Sequence, residues 1–255
     1  MAEPIVRFFL IFPVISFFMH MAATEAFSGP MYMKEGAHFL IRFEGRENRG
    51  AGHIVALVLE EAYFKVGADL AYWPEKRIEA VLYAGKKFYD ITRSQSWIGA
   101  IFDGKIKMPV GGVEVKTVEL ERVIIHEYTH AMVHSLSGGR APVWLHEGLA
   151  QYEEGKDAGR YRDYLKGLAG GEGGEDLSLR RLEGSFTGLG REEASRAYLL
   201  SLSAVQYIVN EFGLNSVKRI LTGLRDGLGI DGALRAAIYL SYEDLEKSWL
   251  DNMAS

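Results

Sequence analysis

Four of the seven histidines lie within residues 121–153, and two of them have the spacing of a metal site. His126 and His130 are four residues apart, so on an α-helix their rings stand one turn apart on the same side. Two imidazoles arranged in this way can bind one metal ion. Glu127 lies about 100° round the helix from His126, where its carboxylate can hold a water molecule without binding the metal itself. The segment therefore predicts catalysis by a metal-activated water, with Glu127 as the general base.

A catalytic zinc ion takes three protein ligands and leaves one position for water, so a third donor must lie elsewhere. Gly138 and Gly139 predict the end of the first helix, and Pro142 fits the first turn of a second one. Glu147 would lie one to two turns into that second helix, which can fold back across the short loop toward the imidazoles. Glu147 is therefore the candidate third ligand.

Two other histidines compete for this third position. His134 lies on the same stripe of the first helix, but three histidines at this spacing extend over about 12 Å, too far to surround one ion. We therefore expect His134 beside the ligands rather than among them. His146 points about 100° away from Glu147, so only one of the two can face the metal. From the spacing alone, His146 stays an alternative.

The first helix is apolar on nearly every side, which predicts that it is buried. Histidines and a glutamate in a buried helix need partners, because unpaired buried charge is costly. The alternative interpretation is a set of core histidines that are satisfied by hydrogen bonds, and a buried Glu127 argues against it. The apolar positions are Val123, Ile124, Ile125, Ala131, Met132 and Val133.

The segment HEYTH, followed by APVWLHEGLAQY, resembles the gluzincin metallopeptidases and, more narrowly, the small exported domains of the peptidase MA-like group. That group pairs HExxH with a helix of the form P-x-W-L-x-E-G-L-A-x-Y, whose glutamate is the third zinc ligand. The resemblance thus implies one Zn²⁺ ion held by His126, His130 and Glu147. It excludes the metzincins, which require Gly and His where this chain has Val133 and Leu136.

The resemblance also implies roles outside the ligand set. Larger gluzincins bind the oxyanion through a tyrosine, histidine or arginine of the helical part, and Tyr198 would be that donor here. The alternative for Tyr198 is a phenol packed between helices. Larger gluzincins often carry an acid four residues after the third ligand that orients a histidine. This chain has Gln151 there, and we expect it to lie beside the ligands.

Two short strands are predicted just before the metal helix, at residues 97–102 and 105–110. Asp103 and Gly104 between them favour a type I′ hairpin turn. The segment GAIFDGKIKMP resembles the corresponding part of the peptidase MA-like group, where an extended substrate adds to an edge strand. The expected substrate edge is Ile98, Gly99, Ala100 and Ile101. The alternative is an ordinary hairpin with no binding role.

Composition excludes several classes of function. The net charge is −5 and no basic block occurs, so a nucleic-acid partner has no support. The chain contains 0 cysteines, which rules out disulfides, thiolate zinc sites, a cysteine nucleophile and a lipid-modified N-terminal cysteine. With 48% hydrophobic residues over 255 positions, the chain can still build a proper core.

The first 26 residues are predicted to be a secretory signal peptide. Arg7 precedes a largely apolar run of 16 residues, and small residues follow up to Ala26. The run is shorter than the roughly 20 residues of a membrane-spanning helix, although an uncleaved N-terminal anchor is the alternative. We therefore expect a periplasmic or extracellular protein that meets the membrane only through that segment if it is retained.

The predicted fold is α+β, with a small mixed sheet, a helix packed on it, the two zincin helices and a helical C-terminal half. One gluzincin-like domain over residues 27–255 would divide into a sheet-containing half, 27–137, and a helical half, 138–255. Strands are predicted at 38–44 and 78–83, and helices at 51–66, 157–168 and 192–212. Later helices are expected to begin at Asn215, at Asp231 and at Ser241 with Asp244.

These patterns together predict a zinc-dependent peptidase that acts on a peptide or protein substrate. Glu127 would take the proton from water and deliver it to the leaving amine. The alternative from another class is a non-catalytic envelope protein that uses the gluzincin scaffold for binding or assembly. A zinc hydrolase that cleaves another kind of bond has the same ligands and is a third interpretation.

Overall fold

The computed structural model describes residues 30–83, 88, 100–111, 113–170 and 177–255. The predicted leader, residues 1–26, lies outside this part of the chain, as do Ile98 and Gly99 of the predicted substrate edge. Within the described ranges, no helix is both long and apolar enough to cross a membrane.

A five-stranded mixed sheet forms one layer of the protein. Its spatial order is β1-β2-β3-β5-β4, with parallel pairing at β2–β3 and β3–β5 and antiparallel pairing at both edges. The edge strand β1 was not predicted, because its side chains are only half-buried or exposed and show no clear alternation. The strands are β1 (Met31–Glu35), β2 (Phe39–Glu44), β3 (Ile78–Tyr83), β4 (Ile101–Phe102) and β5 (Ile106–Pro109).

The hairpin between β4 and β5 differs from its prediction. Phe102 pairs with Ile106, so three residues form the loop instead of two. Gly104 has a φ of +97°, whereas Asp103 does not adopt a positive φ. A type I′ turn requires positive φ at both central residues, so that prediction is wrong.

Helix α1 (Arg49–Leu70) provides the crossover between the parallel strands β2 and β3. Its buried face includes Val55, Leu59, Ala62 and Val66, which join the core beneath the sheet. The helix is longer at both ends than the predicted 51–66. Its packing on the sheet confirms the expected α+β arrangement.

Two helices carry the HExxH and WLHEGLAQY segments. Helix α2 (Val118–Ser137) begins at Thr117, whose side chain accepts a hydrogen bond from the Leu120 amide at 3.1 Å. It ends at Gly138 and Gly139, with φ of +61° and +72°. Helix α3 (Val143–Glu153) begins directly after Pro142, which is its N-cap and thus lies one position before the first turn in which it was predicted.

Six helices in all follow α2 in the described part of the chain, and they make its C-terminal half helical. Ser241 and Asp244 form the predicted capping box at the last helix. The caps predicted at Asn215 and Asp231 are wrong, since these helices begin after Gly213 and Gly229. Asp231 instead accepts a hydrogen bond from the Tyr242 amide at 2.9 Å. Besides α3 they are α4 (Arg162–Gly170), α5 (Arg191–Phe212), α6 (Leu214–Arg225), α7 (Ile230–Ile238) and α8 (Tyr242–Ala254).

Helices α3 and α5 cross at very short range because Gly148 has no side chain. A β-carbon at this position would lie 2.2 Å from the carbonyl oxygen of Ser201, which no real contact permits. Tyr198 lies one turn before Ser201 on α5, and Glu147 precedes Gly148 on α3. The crossing therefore brings the predicted third ligand and the predicted oxyanion donor into the same region.

Candidate metal centre

Helix α2 brings together three potential ligands. One ligand atom from each of His126, Glu127 and His130 can be chosen so that all lie within 4.8 Å of one another. The two imidazole rings are 4.8 Å apart at their centroids, and all three residues are buried. This is the arrangement that the four-residue spacing predicts.

Glu147 of α3 completes the cluster from the partner helix. Its Oε2 atom lies 3.5 Å from Nε2 of His126 and 3.7 Å from Nε2 of His130. Ligand atoms of a tetrahedral zinc site lie about 3.3–3.5 Å apart, given metal–ligand bonds of about 2.0–2.1 Å. The three atoms therefore converge as the ligands of one small cation would.

The polar atoms of this cluster fit a metal ion. Neither Nε2 atom has a hydrogen-bond partner in the described part of the chain, although both are buried. Buried polar groups are normally satisfied, so a missing bound group is a direct explanation. Glu127 lies close enough to be a ligand by distance alone. Glu147 has one oxygen that lies near both Nε2 atoms.

Glu154, just past the end of α3, contacts the other nitrogen of His126. Its Oε1 atom lies 3.2 Å from Nδ1 of His126. Burial alone would lower the pKa of His126, but the carboxylates of Glu154 and Glu147 outweigh it and raise the pKa to about 9. Sequence reasoning missed Glu154. The signal was its position seven residues after Glu147, which places both on one face of a helix.

His130 differs from His126 in its surroundings. Burial lowers its pKa well below the ordinary value, and the neighbouring His126 and His146 lower it further. Neither ring nitrogen has a hydrogen-bond partner within the described ranges. His130 is thus a neutral imidazole, which is the form that binds metals.

Glu127 is fully buried and both of its oxygens lack hydrogen-bond partners among the described residues. Burial raises its pKa well above the ordinary value; the charge of His126 opposes this, and Glu147 and Glu154 add to it. A carboxylate in this environment readily takes up a proton, which a general base must do.

Tyr198 of α5 is buried, and its ring packs edge-to-face on Phe186 at 5.4 Å. Burial raises the pKa of its phenol well above the ordinary value, and the charges of Glu147 and Glu127 raise it further. The hydroxyl has no hydrogen-bond partner in the part of the chain that the structure describes. Tyr198 therefore offers a neutral O–H donor close to the acidic residues of the cluster.

The side chain of Gln151 binds backbone atoms of α3 and α5. Its Nε2 atom donates to the carbonyl oxygens of Glu147 and Tyr198 at 3.1 and 2.8 Å. The amide has two hydrogens, and both are used in these contacts. Gln151 thus fastens α3 to α5 through its amide nitrogen.

The remaining two histidines of the segment lie around the cluster. The His146 ring is buried 5.7 Å from that of His130, and burial together with the nearby His134 lowers its pKa to about 3. His134 lies further along α2, where its ring contacts that of Phe102 edge-to-face at 5.8 Å. It therefore packs against β4.

Strand β4, which contains Ile101 of the predicted substrate edge, packs against α2. Ala100 and Ile101 are buried, and Ile101 begins the short edge strand β4, which pairs only with β5 among the described strands. Asp103 follows this strand closely enough that its charge contributes to the raised pKa of Glu127. The edge of the sheet thus ends beside the candidate metal centre.

Comparison with known proteins gives one finding on the family. A search of curated proteins finds no significant match to this chain. The sequence model of the peptidase MA superfamily matches residues 60–255, which include α2, α3 and the helices that follow. Because this match covers most of the chain and includes the clustered histidines and glutamates, the chain belongs to the peptidase MA superfamily.

Proposed function

We propose that this protein is a zinc-dependent peptidase of the gluzincin type that hydrolyses peptide bonds. The observation that carries the proposal is the position of Glu147 Oε2, 3.5 and 3.7 Å from the Nε2 atoms of His126 and His130. One carboxylate and two imidazoles from neighbouring helices form a known catalytic zinc ligand set with a free fourth position. Membership of the peptidase MA superfamily supports the same class of reaction.

In this proposal His126, His130 and Glu147 hold one Zn²⁺ ion. When bound, the ion supplies Lewis acidity, which activates water and polarises the scissile carbonyl. The ligands come from two helices joined by the short turn at Gly138 and Gly139, so their separation depends on the packing of α3 against α2. The nitrogen and oxygen donors also accept other divalent ions, and zinc is the proposed one.

Glu127 is the proposed general base. Its carboxylate takes the proton from the attacking water and then delivers it to the nitrogen of the leaving amine. Both oxygens are free of hydrogen bonds to other described residues, so either can accept that proton. The raised pKa of Glu127 favours holding the proton until the amine leaves.

Tyr198 is the proposed donor to the oxyanion. Its phenol is neutral, buried and lacks a partner within the described ranges, so its hydrogen is available to an oxygen that gains charge. The substrate would lie extended along residues 98–101, with backbone hydrogen bonds to this sheet edge. Strand β4, which begins at Ile101, packs against α2, and this supports the placement.

The substitution Glu127→Gln tests the proposal. It keeps the size of the side chain but removes its ability to take up a proton, so zinc content should be unchanged. Turnover of casein or of fluorogenic peptides should fall by about 10²- to 10⁴-fold. The matched control is Glu153→Gln, which changes another buried glutamate that contacts Lys65 rather than the cluster.

Three outcomes would count against the assignment. Full turnover in Glu127→Gln would show that Glu127 is not the general base. Purified wild-type protein that contains no zinc would show that the reaction does not depend on this metal. A zinc-loaded chain that cleaves esters or non-peptide amides, but no peptide in a library, would keep the metal and change the reaction. A cleavage-site profile from the same peptide library would also show which substrates are preferred.

We also propose that the protein acts outside the cytoplasm, from the leader-like composition of residues 1–26. Fractionation of expressing cells, with mass measurement of the mature N-terminus, tests this. Release into the periplasm or medium after cleavage near Ala26 supports export. Retention of the full chain in a membrane fraction supports the anchored alternative, and a cytoplasmic location overturns the proposal.

A further inference from the structure

We propose that Glu154 is the positioning residue for His126: it fixes the ring and its tautomer so that Nε2 is presented to the metal. The inference rests on the proposed zinc site, since it concerns how one of its ligands is held. It identifies a residue that the HExxH and WLHEGLAQY segments do not include. The juxtaposition is Glu154 Oε1, 3.2 Å from Nδ1 of His126, between two buried side chains.

The chemistry of the pair determines the tautomer. An ionised carboxylate can only accept hydrogen bonds, so Nδ1 of His126 must carry the hydrogen that lies between them. In the neutral ring, which is the form that binds a metal, the lone pair is then on Nε2, the atom that lies 3.5 Å from Glu147 Oε2. The side chains of His126 and Glu154 are 1% and 3% exposed, so water does not compete strongly for this contact.

A sharp turn at the end of α3 holds Glu154 in place. Gly155 has a φ of +86°, and the amides of Gly155 and Lys156 donate to the carbonyls of Tyr152 and Gln151, each at 3.0 Å. This turn brings Nζ of Lys156 to 2.7 Å from Glu154 Oε1. The Oε1 atom of Glu154 thus accepts from both the imidazole of His126 and the ammonium group of Lys156. The positive charge of the lysine favours the ionised carboxylate.

The two imidazoles of the cluster are therefore held differently. His126 has a carboxylate partner on its distal nitrogen, whereas His130 has no hydrogen-bond partner on either nitrogen in the described part of the chain. Gln151 is closer in sequence to Glu147, but its amide hydrogens go to backbone carbonyls. Orientation of a ligand histidine thus falls to Glu154. Loss of such a partner typically weakens metal binding by about 10- to 100-fold.

The test is a zinc dissociation constant measured by competition with a chromogenic chelator. Glu154→Gln keeps the shape but removes the charge, and Glu154→Ala removes both. We expect zinc affinity to fall about tenfold in the first and closer to about 100-fold in the second. The control is Glu153→Gln, the neighbouring buried glutamate that bonds to Lys65, and its zinc affinity should stay within about twofold of wild type.

A second readout separates positioning from a general loss of structure. In the Co²⁺-substituted protein, Glu154→Gln should shift the visible absorption bands, while Glu153→Gln should leave them in place. Far-UV circular dichroism of the metal-free variants checks that each is folded. Because Glu154→Gln is isosteric, its result decides the matter even if Glu154→Ala does not fold.

Each outcome decides between the two proposals. If Glu154→Gln binds zinc as tightly as wild type with an unshifted Co²⁺ spectrum, the positioning role is wrong while the zinc site stands. If wild type binds zinc tightly and Glu154→Gln weakly, but no peptide is cleaved, the positioning role stands and the peptidase proposal fails. If wild type binds no zinc, both are wrong.

Discussion

Two buried polar regions share helix α3 and differ in how their polar groups are paired. In the first, which we call the tryptophan region, the indole of Trp144 donates to the Tyr242 hydroxyl at 2.9 Å and that of Trp249 to the Ser203 hydroxyl at 3.0 Å. In the candidate metal centre, both oxygens of Glu127, both nitrogens of His130 and the Tyr198 hydroxyl lack partners among the described residues.

The difference indicates what each region is for. A buried polar group without a partner costs about 1–3 kcal/mol, so a chain that needed only stability would not gather several of them. The tryptophan region satisfies its donors internally and holds α3, α5 and α8 together. The candidate metal centre does not satisfy these groups within the described part of the chain, as the proposed binding of a cation, a water molecule and a substrate requires.

Zinc removal should have the largest effect on stability. A ligand that binds only the folded chain stabilises it by about 4 kcal/mol at a free concentration about 1,000 times its Kd. A chelator should therefore lower the midpoint of thermal unfolding, and added Zn²⁺ should restore it. The shift should vanish in His130→Ala and persist in Trp249→Phe. If the midpoint of thermal unfolding of the wild type were the same with and without chelator, the candidate metal centre would not differ from the tryptophan region in binding a metal.

Gly148→Ala should have the next largest effect, because the added carbon would overlap the Ser201 carbonyl at 2.2 Å. We expect a loss of about 3 kcal/mol in unfolding free energy, together with weaker zinc binding, as α3 moves away from α5. The control is Gly167→Ala on α4, where nothing lies within 4 Å of the added carbon. That change should stabilise the chain by about 0.5–1 kcal/mol. Denaturant titration measures the unfolding free energy of both variants. Equal changes in Gly148→Ala and Gly167→Ala would contradict the close crossing of α3 and α5.

A Tyr→Phe substitution removes one phenol hydroxyl from either region, at Tyr242 in the tryptophan region and at Tyr198 in the candidate metal centre. Tyr242→Phe leaves the buried indole N–H of Trp144 without its acceptor, so unfolding free energy should fall by about 1–2 kcal/mol with turnover unchanged. Tyr198→Phe removes a hydroxyl without a described partner, so stability should hold while turnover falls about 100-fold. Urea titration and peptide turnover of the two variants test this. If Tyr198 had only a structural role, Tyr198→Phe would lower the unfolding free energy and leave turnover unchanged.

Glu153 has one paired and one unpaired oxygen, so it combines features of the two regions. Its titration should have the smallest effect on the unfolding free energy. Its Oε2 bonds to Lys65 at 2.8 Å, while its Oε1 has no partner in the described ranges. Burial raises its pKa to about 7, with Lys65 opposing the shift. A raised folded-state pKa gives stability that is present below the unfolded value of about 4.3 and is lost as pH rises through about 7.

The unfolding free energy of wild type, relative to Glu153→Gln, should therefore fall between about pH 4 and pH 7. Screening by water around the half-exposed lysine limits the change to about 1 kcal/mol. Urea titrations of both proteins across this range give the difference directly. A difference that grew with pH would mean that the ion pair with Lys65 outweighs burial.

Local patterns predicted much of the fold. Strand β3 runs over Ile78–Tyr83 as predicted, because an apolar run bounded by turn residues is a strong local signal. The caps at Gly213 and Gly229 were missed, since glycine competes poorly with Asn and Asp on local preference alone. Strand β1 was missed because an edge strand is defined by its neighbour, here β2, rather than by its own pattern.

The sequence by itself determined that His126 and His130 share one face of a helix, that Glu127 lies beside them, and that the chain turns back at Gly138. Each follows from the helical repeat or from the backbone of one residue. Tertiary structure alone decided that one oxygen of Glu147 meets both imidazoles, and that Glu154 rather than Gln151 supports His126. These contacts depend on the angle and depth at which α3 packs, and residue spacing along the chain does not specify either.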